Sequence, residues 1–504
     1  MKQLSGEDAA FVYAETSIAP MHIGALCIYA APALLAESTP LAESTSLAES
    51  TRFRAIRRFI STRLHLARTF RQRLVSVPFN LDHPWWIEDA KFDLRHHVRH
   101  LRLASPGDWG QLCLQTAKLH AQPLDLNRPP WEMIVIDGLE GIDGLPKGAF
   151  AIFSKIHHAC IDGISGAEIT TVLHATLPYV TMPLPTIPWH GEPVPSALEL
   201  AQRALPSLLF QPLRYAAVFA GAMATMLRVC PDASDCQPSS AQPIPVTRFN
   251  RTITADRVFG RCSLPLSDLQ QILTRVEDAT INDALLSVCG GALRRYLLLK
   301  NELPELSLTA MVPVSVRLRN EDKALGNRVA AMTVALGTDI ADPLDRLKAV
   351  HKFAGQSKLA VKRWGADWLL ALAESVPATL AASAVRLYTR ARFGARVPPL
   401  FNCVVTNVPG PQVPLYLGEA QLVAEYGLGP IVDGVGLFLA IFSYCGRVNI
   451  SVISCRAMLP DPDLLVQCLQ QSFDELLAVS LALSSPDSPV DSFQAGGFEA
   501  GDER

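Results

Sequence analysis

Charge is what this chain has little of. Only 18% of its 504 residues are Asp, Glu, Lys or Arg, while 49% are hydrophobic; an ordinary soluble domain carries about 25% charged residues. The 45 basic and 48 acidic residues nearly cancel, leaving a formal charge of −3. That balance removes the electrostatic basis for binding nucleic acid. The cysteines are also sparse in pattern: 11 of them, an odd number, with no CxxC pair. A disulfide framework and a structural zinc site are therefore not expected. The opening MKQLSGEDAAFVYAET lacks the apolar core of a secretion signal. The most membrane-like run, AAVFAGAMATML at 216–227, falls short of the roughly 20 residues that a spanning helix needs. These absences lead us to expect a cytoplasmic protein, one that rests peripherally on the inner face of the cell membrane or on lipid inclusions. Catalytic signatures are missing too: there is no GxSxG elbow and no GxxxxGK[ST] loop. The glycines of GLGPIVDGVG (427–436) precede a strand instead of opening a helix, so they form no dinucleotide fingerprint. The expected chemistry uses no covalent enzyme nucleophile, no metal and no cofactor.

What is present is an alternation of strands and helices, the mark of an α/β protein. MHIGALCIYA (21–30) and GAFAIFSKIHHA (148–159) read as strands, and Leu112–His120 and Ser165–Thr176 as helices. Proline-rich text then takes over, as in TLPYVTMPLPTIPWHGEPVP, and flanks an apolar helical stretch at 197–228. The second half offers strands in DRVFGRCSLPL, SLTAMVPVSVRL, RVAAMTVALGT and LFNCVVTNVPG. It also offers a helix over Ile281–Leu299 and a terminal hairpin turning at Cys445-Gly446. The expected divisions are a first half at 1–180, a connector at 181–246, a second half at 247–484 and a disordered polar tail at 485–504. A tandem hexapeptide, LAESTP-LAESTS-LAESTR, occupies 35–52 and reads as an expansion inside a surface loop. The arginine-rich segment 52–74 after it has Phe53, Ile56, Ile60 and Leu64 at helical spacing. It reads as a helix with a basic outer face.

The segment that draws attention is FAIFSKIHHACIDGISG (150–166). Strand alternation puts Phe150, Ile152, Ser154 and Ile156 on one face and Ala151, Phe153, Lys155 and His157 on the other. His157 and His158 therefore cannot both enter one site from a continuing strand. Ser165 with Glu168 forms a capping box for the next helix. Asp162 and Gly163 sit in the turn between. Three readings compete with a purely structural turn: a metal held by His158 and Asp162, a Cys160 nucleophile with His158, and a histidine general base. No third metal ligand lies nearby in the sequence. A histidine with its ordinary pKa near 6.5 can take a proton from an alcohol at neutral pH, and this reading is favoured.

HHACIDG (157–163) resembles the HHxxxDG motif of CoA-dependent acyltransferases, a group that includes peptide-synthetase condensation domains. The surrounding blocks narrow the resemblance to the bacterial wax ester synthase/diacylglycerol acyltransferase family. They are LSGEDAAFVYAETSIAPMHIGAL (4–26), FDLRHHVRHLRLASPGD (92–108), PLDLNRPPWE (123–132), ATINDALLSVCGGALRRYL (279–297), MVPVSVR (311–317), LGNRV (325–329) and TNVPGPQVPLYLGEAQL (406–422). They run in order along nearly the whole chain. The LAEST insertion, the polar tail, and Pro130 in place of leucine in the PLW element depart from the family pattern.

The resemblance implies two chloramphenicol-acetyltransferase-like α/β halves with the active site at their interface. It implies His158 as general base, with His157, Asp162 and Gly163 supporting the turn. Asn282 and Asp283 correspond to the ND element, with Asn282 as the oxyanion donor and Asp283 as its structural neighbour. Trp131, in the PLW-like element, corresponds to a substrate-binding position. The implied substrates are acyl-CoA and either diacylglycerol or a long-chain alcohol, giving triacylglycerol or wax ester. Two alternatives stay open: acyl transfer to another alcohol or from a carrier-bound acyl group, and a non-catalytic lipid-binding relative. The apolar stretches 197–228 and 368–388 are candidates for chain binding or membrane contact.

Overall fold

The fold is seen in a computed structural model. It describes residues 1–31, 42–160, 172–178, 189–206, 209–210, 220, 243–315, 329–364, 382–383, 386–387, 389, 391 and 393–482. The described strands in chain order are β1 (Lys2–Gln3), β2 (His22–Ala30), β3 (Gln72–Val75), β4 (Trp85–Glu88), β5 (Val98–Arg102), β6 (Trp131–Asp137) and β7 (Phe150–His157). Those of the second half are β8 (Arg257–Pro265), β9 (Thr309–Ser315), β10 (Val329–Ala335), β11 (Cys403–Pro409), β12 (Tyr416–Leu417), β13 (Ala420–Leu428), β14 (Leu437–Tyr444) and β15 (Arg447–Cys455). The helices used below are α1 (Gly6–Ala14), α2 (Ala42–Ser61), α3 (Trp109–Ala121) and α4 (Ile281–Leu299).

Two six-stranded sheets carry the architecture, in the orders β12-β13-β2-β7-β6-β5 and β10-β9-β11-β14-β15-β8. A small β1-β4-β3 sheet stands beside the first. Both large sheets mix parallel and antiparallel pairs: β5–β6, β9–β11 and β11–β14 are parallel. The strands and the helix expected in the second half form where the sequence places them, α4 from Ile281 to Leu299. The hairpin turn at Cys445-Gly446 forms with φ of 43° and 76°. Two successive positive φ values match the right-handed twist of the flanking strands.

The division into contiguous halves is crossed by strand pairing. Strand β13 belongs to the second half in sequence, yet it pairs antiparallel with β2 of the first, Glu425 opposite Cys27 and Gly427 opposite Ala25. Alternation in a sequence reveals a strand but not its partner, so this crossing is invisible until the chain is folded. One hydrophobic core consequently spans both sheets, joining Leu26, Ile28, Ile134 and Phe153 to Val258, Ile441 and Val448. The opposite face of the first sheet has its own core, from Cys27, Tyr29, Met133, Val135 and Ile152 to Ile56 and Ile60 of α2.

The LAEST region departs from its expected loop. Helix α2 begins at Ala42, inside the second copy, and runs through the third to Ser61. Its alanines, leucine and glutamates are good helix formers, and Ile56 and Ile60 give the helix an apolar stripe to bury. Glu49 of the third copy is buried and ion-paired with Arg102. The helix expected over 52–74 stops at Ser61; two single 3₁₀ turns and then β3 follow. Its basic face is partly engaged: Arg52 meets Asp137 at 2.6 Å, and Arg63 lies 3.5 Å from the Phe59 ring centre. Of the expected helix 165–176, residues 165–171 lie outside the described residues, and what is described is helical only at 172–173, with Ala175 bridged to Tyr416; the tail from 483, most of 207–242 and all of 365–381 also lie outside them.

Candidate active site

Strand β7 delivers the histidine pair. It ends at His157, and His158 opens a 3₁₀ turn, His158–Cys160. The alternation is as expected: Ala151 and Phe153 join the inter-sheet core, while Phe150, Ile152 and Ile156 join the core under α2. His157 lies directly opposite His22 on β2, and its side chain is fully buried. Its Nε2 is 2.7 Å from Oε2 of Glu15, and its Nδ1 accepts a 3.1 Å hydrogen bond from the Ala159 N–H. Since Nδ1 accepts, Nε2 carries the proton and donates it to the carboxylate. Both ring nitrogens are spent on holding the turn.

His158 is held differently. Its backbone N–H donates to Met21 O at 2.8 Å. Its ring stacks on Phe11 of α1, with centroids 3.7 Å apart and planes at 14°. Nδ1 is buried and has no partner in another of the described residues. Burial pushes the imidazole pKa down to about 4, with a further push from the neighbouring His157. Near neutral pH the ring is therefore an uncharged base. Helix α1 thus grips the pair twice, through Phe11 on His158 and through Glu15, its C-cap residue, on His157. Sequence reading missed Glu15; a carboxylate seven residues before His22 carries no local signal, because the contact spans 142 positions.

Behind the pair lies a buried polar cluster that sequence reading also missed. Lys155 Nζ donates to the carbonyls of Leu119 and Gln122 at 3.0 and 2.9 Å and pairs with Glu132 at 3.1 Å. It thereby satisfies the last turn of α3, where orphan carbonyls favour a cation. His22 Nε2 donates to His120 O at 3.0 Å, and His120 Nε2 donates to Gly429 O at 3.1 Å, which ties the first sheet to the loop after β13. Burial holds both imidazoles below their ordinary range, His120 at about 3.

The ND element starts α4. Thr280 and Asp283 form a reciprocal capping box: Thr280 Oγ1 accepts from the Asp283 N–H, and Asp283 Oδ2 accepts from the Thr280 N–H. The same Oδ2 meets His351 Nδ1 at 2.9 Å. Asp283 is a buried structural residue. Asn282, one position earlier, is half-buried, and its Oδ1 accepts a 3.4 Å contact from Asn407 of β11. Among the described residues its amide N–H groups make no hydrogen bond. Among the described residues no hydrogen bond joins Asn282 to either histidine. Asp162 and Gly163 lie outside the described residues.

Trp131 is placed in a core instead of at a binding surface. It is 3% exposed, its Nε1 donates to Phe70 O at 2.9 Å, and its ring stacks on His97. Its indole fills the space beneath the first sheet because, on β6, it faces the same side as Met133 and Val135. Among the described residues, Glu49, His100 and Asp137 form a group whose possible ligand atoms lie within 4.8 Å of one another. Arg102 and Arg52 already neutralise the two carboxylates, so this cluster is charge-balanced as it stands.

Comparison with known proteins decides the family. Residues 4–285 match the wax ester synthase/diacylglycerol acyltransferase catalytic domain, and residues 325–477 match the WS/DGAT C-terminal domain. The chain belongs to the wax ester synthase/diacylglycerol acyltransferase family. Members of the WS/DGAT family are O-acyltransferases. Among relatives, a Mycobacterium tuberculosis protein provisionally named a diacylglycerol O-acyltransferase is 32% identical over 95% of this chain and 97% of its own. A second one from the same species is 29% identical over 94% and 91%. The wax ester synthase/diacylglycerol acyltransferase from Marinobacter aquaeolei VT8 superposes with a TM-score of 0.67 at 26% identity, covering 95% of this chain and all of that one. The first condensation domain of the calcium-dependent antibiotic synthetase shares the fold alone, with a TM-score of 0.52 at 11% identity. The two-halved α/β architecture expected from the sequence is thus the WS/DGAT and condensation-domain fold.

Proposed function

We propose that His158 is the general base of acyl transfer from acyl-CoA to the hydroxyl of diacylglycerol or a long-chain alcohol. The observation that carries this is the contrast between the two histidines: His157 has both nitrogens engaged, while Nδ1 of His158 has no hydrogen-bond partner among the described residues and the ring stays neutral. His158 takes the proton from the acceptor hydroxyl as its oxygen attacks the thioester carbonyl. The carbonyl π electrons move onto oxygen, and the unspent N–H donors of Asn282 meet that oxyanion. Collapse breaks the C–S bond, and His158 returns the proton to the departing CoA thiolate. The ester and free CoA result, with no cofactor and no metal in the balance.

The same protein is proposed to work at a lipid surface. Among the described residues no helix is long and apolar enough to cross a membrane. Yet the helical stretch 197–206 buries Leu200 and Ala204 against Val77 while exposing Leu198 and Leu205, and Leu209 and Phe210 beyond it are also exposed. One face is anchored in the protein, and the other mixes these exposed apolar side chains with Glu199, Gln202 and Arg203, a mixture that suits peripheral contact with a membrane or lipid droplet.

The test of the base is His158→Ala, assayed by CoA release with a fatty alcohol and with diacylglycerol in parallel. Positioned acid–base catalysis contributes about 10²–10⁴-fold, so turnover falls by that factor at an unchanged melting temperature. Near-normal turnover by a folded variant would refute the assignment.

A further inference from the structure

The proposed base and the proposed oxyanion donor come from different halves, His158 from the end of β7 and Asn282 from the start of α4. Their separation therefore depends on how the halves are locked together. The β2–β13 ladder does part of this. It ends at Gly24 opposite Leu428, short of residues 15–22, the segment that holds the histidine pair. That segment meets the pair twice: Glu15 Oε2 accepts from His157 Nε2 at 2.7 Å, and Met21 O accepts from the His158 N–H at 2.8 Å. Between these two points the chain doubles back, the N–H of Thr16 and of Ala19 each bonding to the other's carbonyl at 3.2 Å.

A residue of the second half grips this turn. Arg257 on β8 is only 3% exposed. Its Nη2 donates to Ile18 O, and its Nη1 donates to Thr254 O. Among the described residues no carboxylate pairs with it; the adjacent Asp256 is paired with Arg456 instead. Burial lowers its pKa to about 10, so it remains a cation at neutral pH. A buried cation held by carbonyls alone is costly and calls for a physical reason. Its position supplies one, because β8 packs on α3 of the first half. Arg261, on the same face as Arg257 by strand alternation, lies 3.3 Å from the ring centre of Trp109, the first residue of α3. Near the other end of α3, the charge of Arg257 adds to the burial that depresses His120.

We infer that Arg257 is a positioning residue for acyl transfer: its guanidinium ties β8 of the second half to the turn at Ile18, and so sets where Glu15 and Met21 hold the histidine pair. This rests on the reading of His158 as the base. The planar fork of a guanidinium suits the task. One arm is anchored in its own half at Thr254, the other reaches across to Ile18, and the span between them is rigid. A lysine ammonium would offer a single point of charge on a flexible stem.

Wild type, Arg257→Met, Arg257→Lys, Glu15→Ala and the double variant Glu15→Ala/Arg257→Met are assayed by CoA release from stearoyl-CoA with hexadecanol as acceptor. Arg257→Met is expected to lower kcat about 10- to 100-fold, the scale of a misplacement near 1 Å, with KM for both substrates little changed. Arg257→Lys, which keeps the cation and one bond, is expected to recover part of the loss. Arg257 and Glu15 act through one segment, so the double variant should fall little below the worse single variant. A double loss equal to the product of the two single losses marks independent sites and overturns the inference, as does full kcat in Arg257→Met. Hydrogen exchange reads the tie without turnover. The backbone amides of 15–22 and 157–160 should exchange faster in both Arg257 variants while β6 keeps its protection, and unchanged exchange there overturns the inference. If Arg257→Met does not fold, Arg257→Lys carries both readings, with a smaller fall in kcat. Turnover by a folded His158→Ala would instead refute the base and leave the exchange result standing.

Discussion

Lowering the pH is the sharpest perturbation of the proposed base. An unburied histidine titrates near 6.5. His158 is pushed down to about 4, first by burial and then by its neighbour His157. The difference amounts to about 3 kcal/mol against the imidazolium, at 1.36 kcal/mol per unit. At pH 5 an ordinary histidine is about 3% neutral, whereas one with the His158 value is about 90% neutral. The kcat/KM profile of the free enzyme should therefore keep most of its activity at pH 5 and show its acid limb near pH 4. The assay is initial-rate CoA release from pH 3.5 to 8 with a fatty alcohol as acceptor. Stability sets a second, opposing limit. His158, His22 and His120 all have depressed values. The unfolded chain takes up these protons below about 6.5 and the folded chain does not, so stability is full above that pH and declines as the pH falls toward about 4. Circular dichroism on the same samples separates unfolding from titration of the base. An acid limb at pH 6.5 in protein that remains folded would refute the assignment of a buried, neutral His158.

Two substitutions test the groups around the base. Glu15→Ala removes the acceptor for His157 Nε2 and should cost about 1.5–3 kcal/mol of stability, the worth of a hydrogen bond to a charged group. It should also lower kcat with KM little changed, and Glu15→Gln, whose amide oxygen can still accept, should restore most of the loss; full kcat in Glu15→Ala would remove Glu15 from the site. Asn282→Ala takes away the proposed oxyanion donor and should reduce kcat by about 10²–10³-fold; an effect confined to KM would assign Asn282 to substrate binding instead.

Much was legible in the chain itself. Period-two and helical spacings gave the strands β2, β7, β8, β9, β10 and β11 and the helix α4, because local alternation follows directly from which face is buried. The HHxxxDG segment and its ordered neighbours pointed to the family, which the matches over 4–285 and 325–477 established. Opposite faces for Lys155 and Ile156 also followed from alternation alone. The sequence misled where a local pattern has more than one outcome. The LAEST copies are helix formers as much as loop formers, and packing of Ile56 and Ile60 selected the helix. Trp131, expected at a substrate-binding position, is buried beneath the first sheet with its Nε1 on Phe70 O, a contact across 61 positions that no local pattern reveals.

The chain by itself determined the elements and the motif, since these depend on residues within a few positions of one another. Only the tertiary structure decided the partners. Glu15 reaches His157 across 142 positions, and Phe11 stacks on His158 across a comparable gap. Strand β13 leaves its own half to pair with β2. Contacts between distant segments depend on register and on the shape of the whole core, and no short window of sequence contains either.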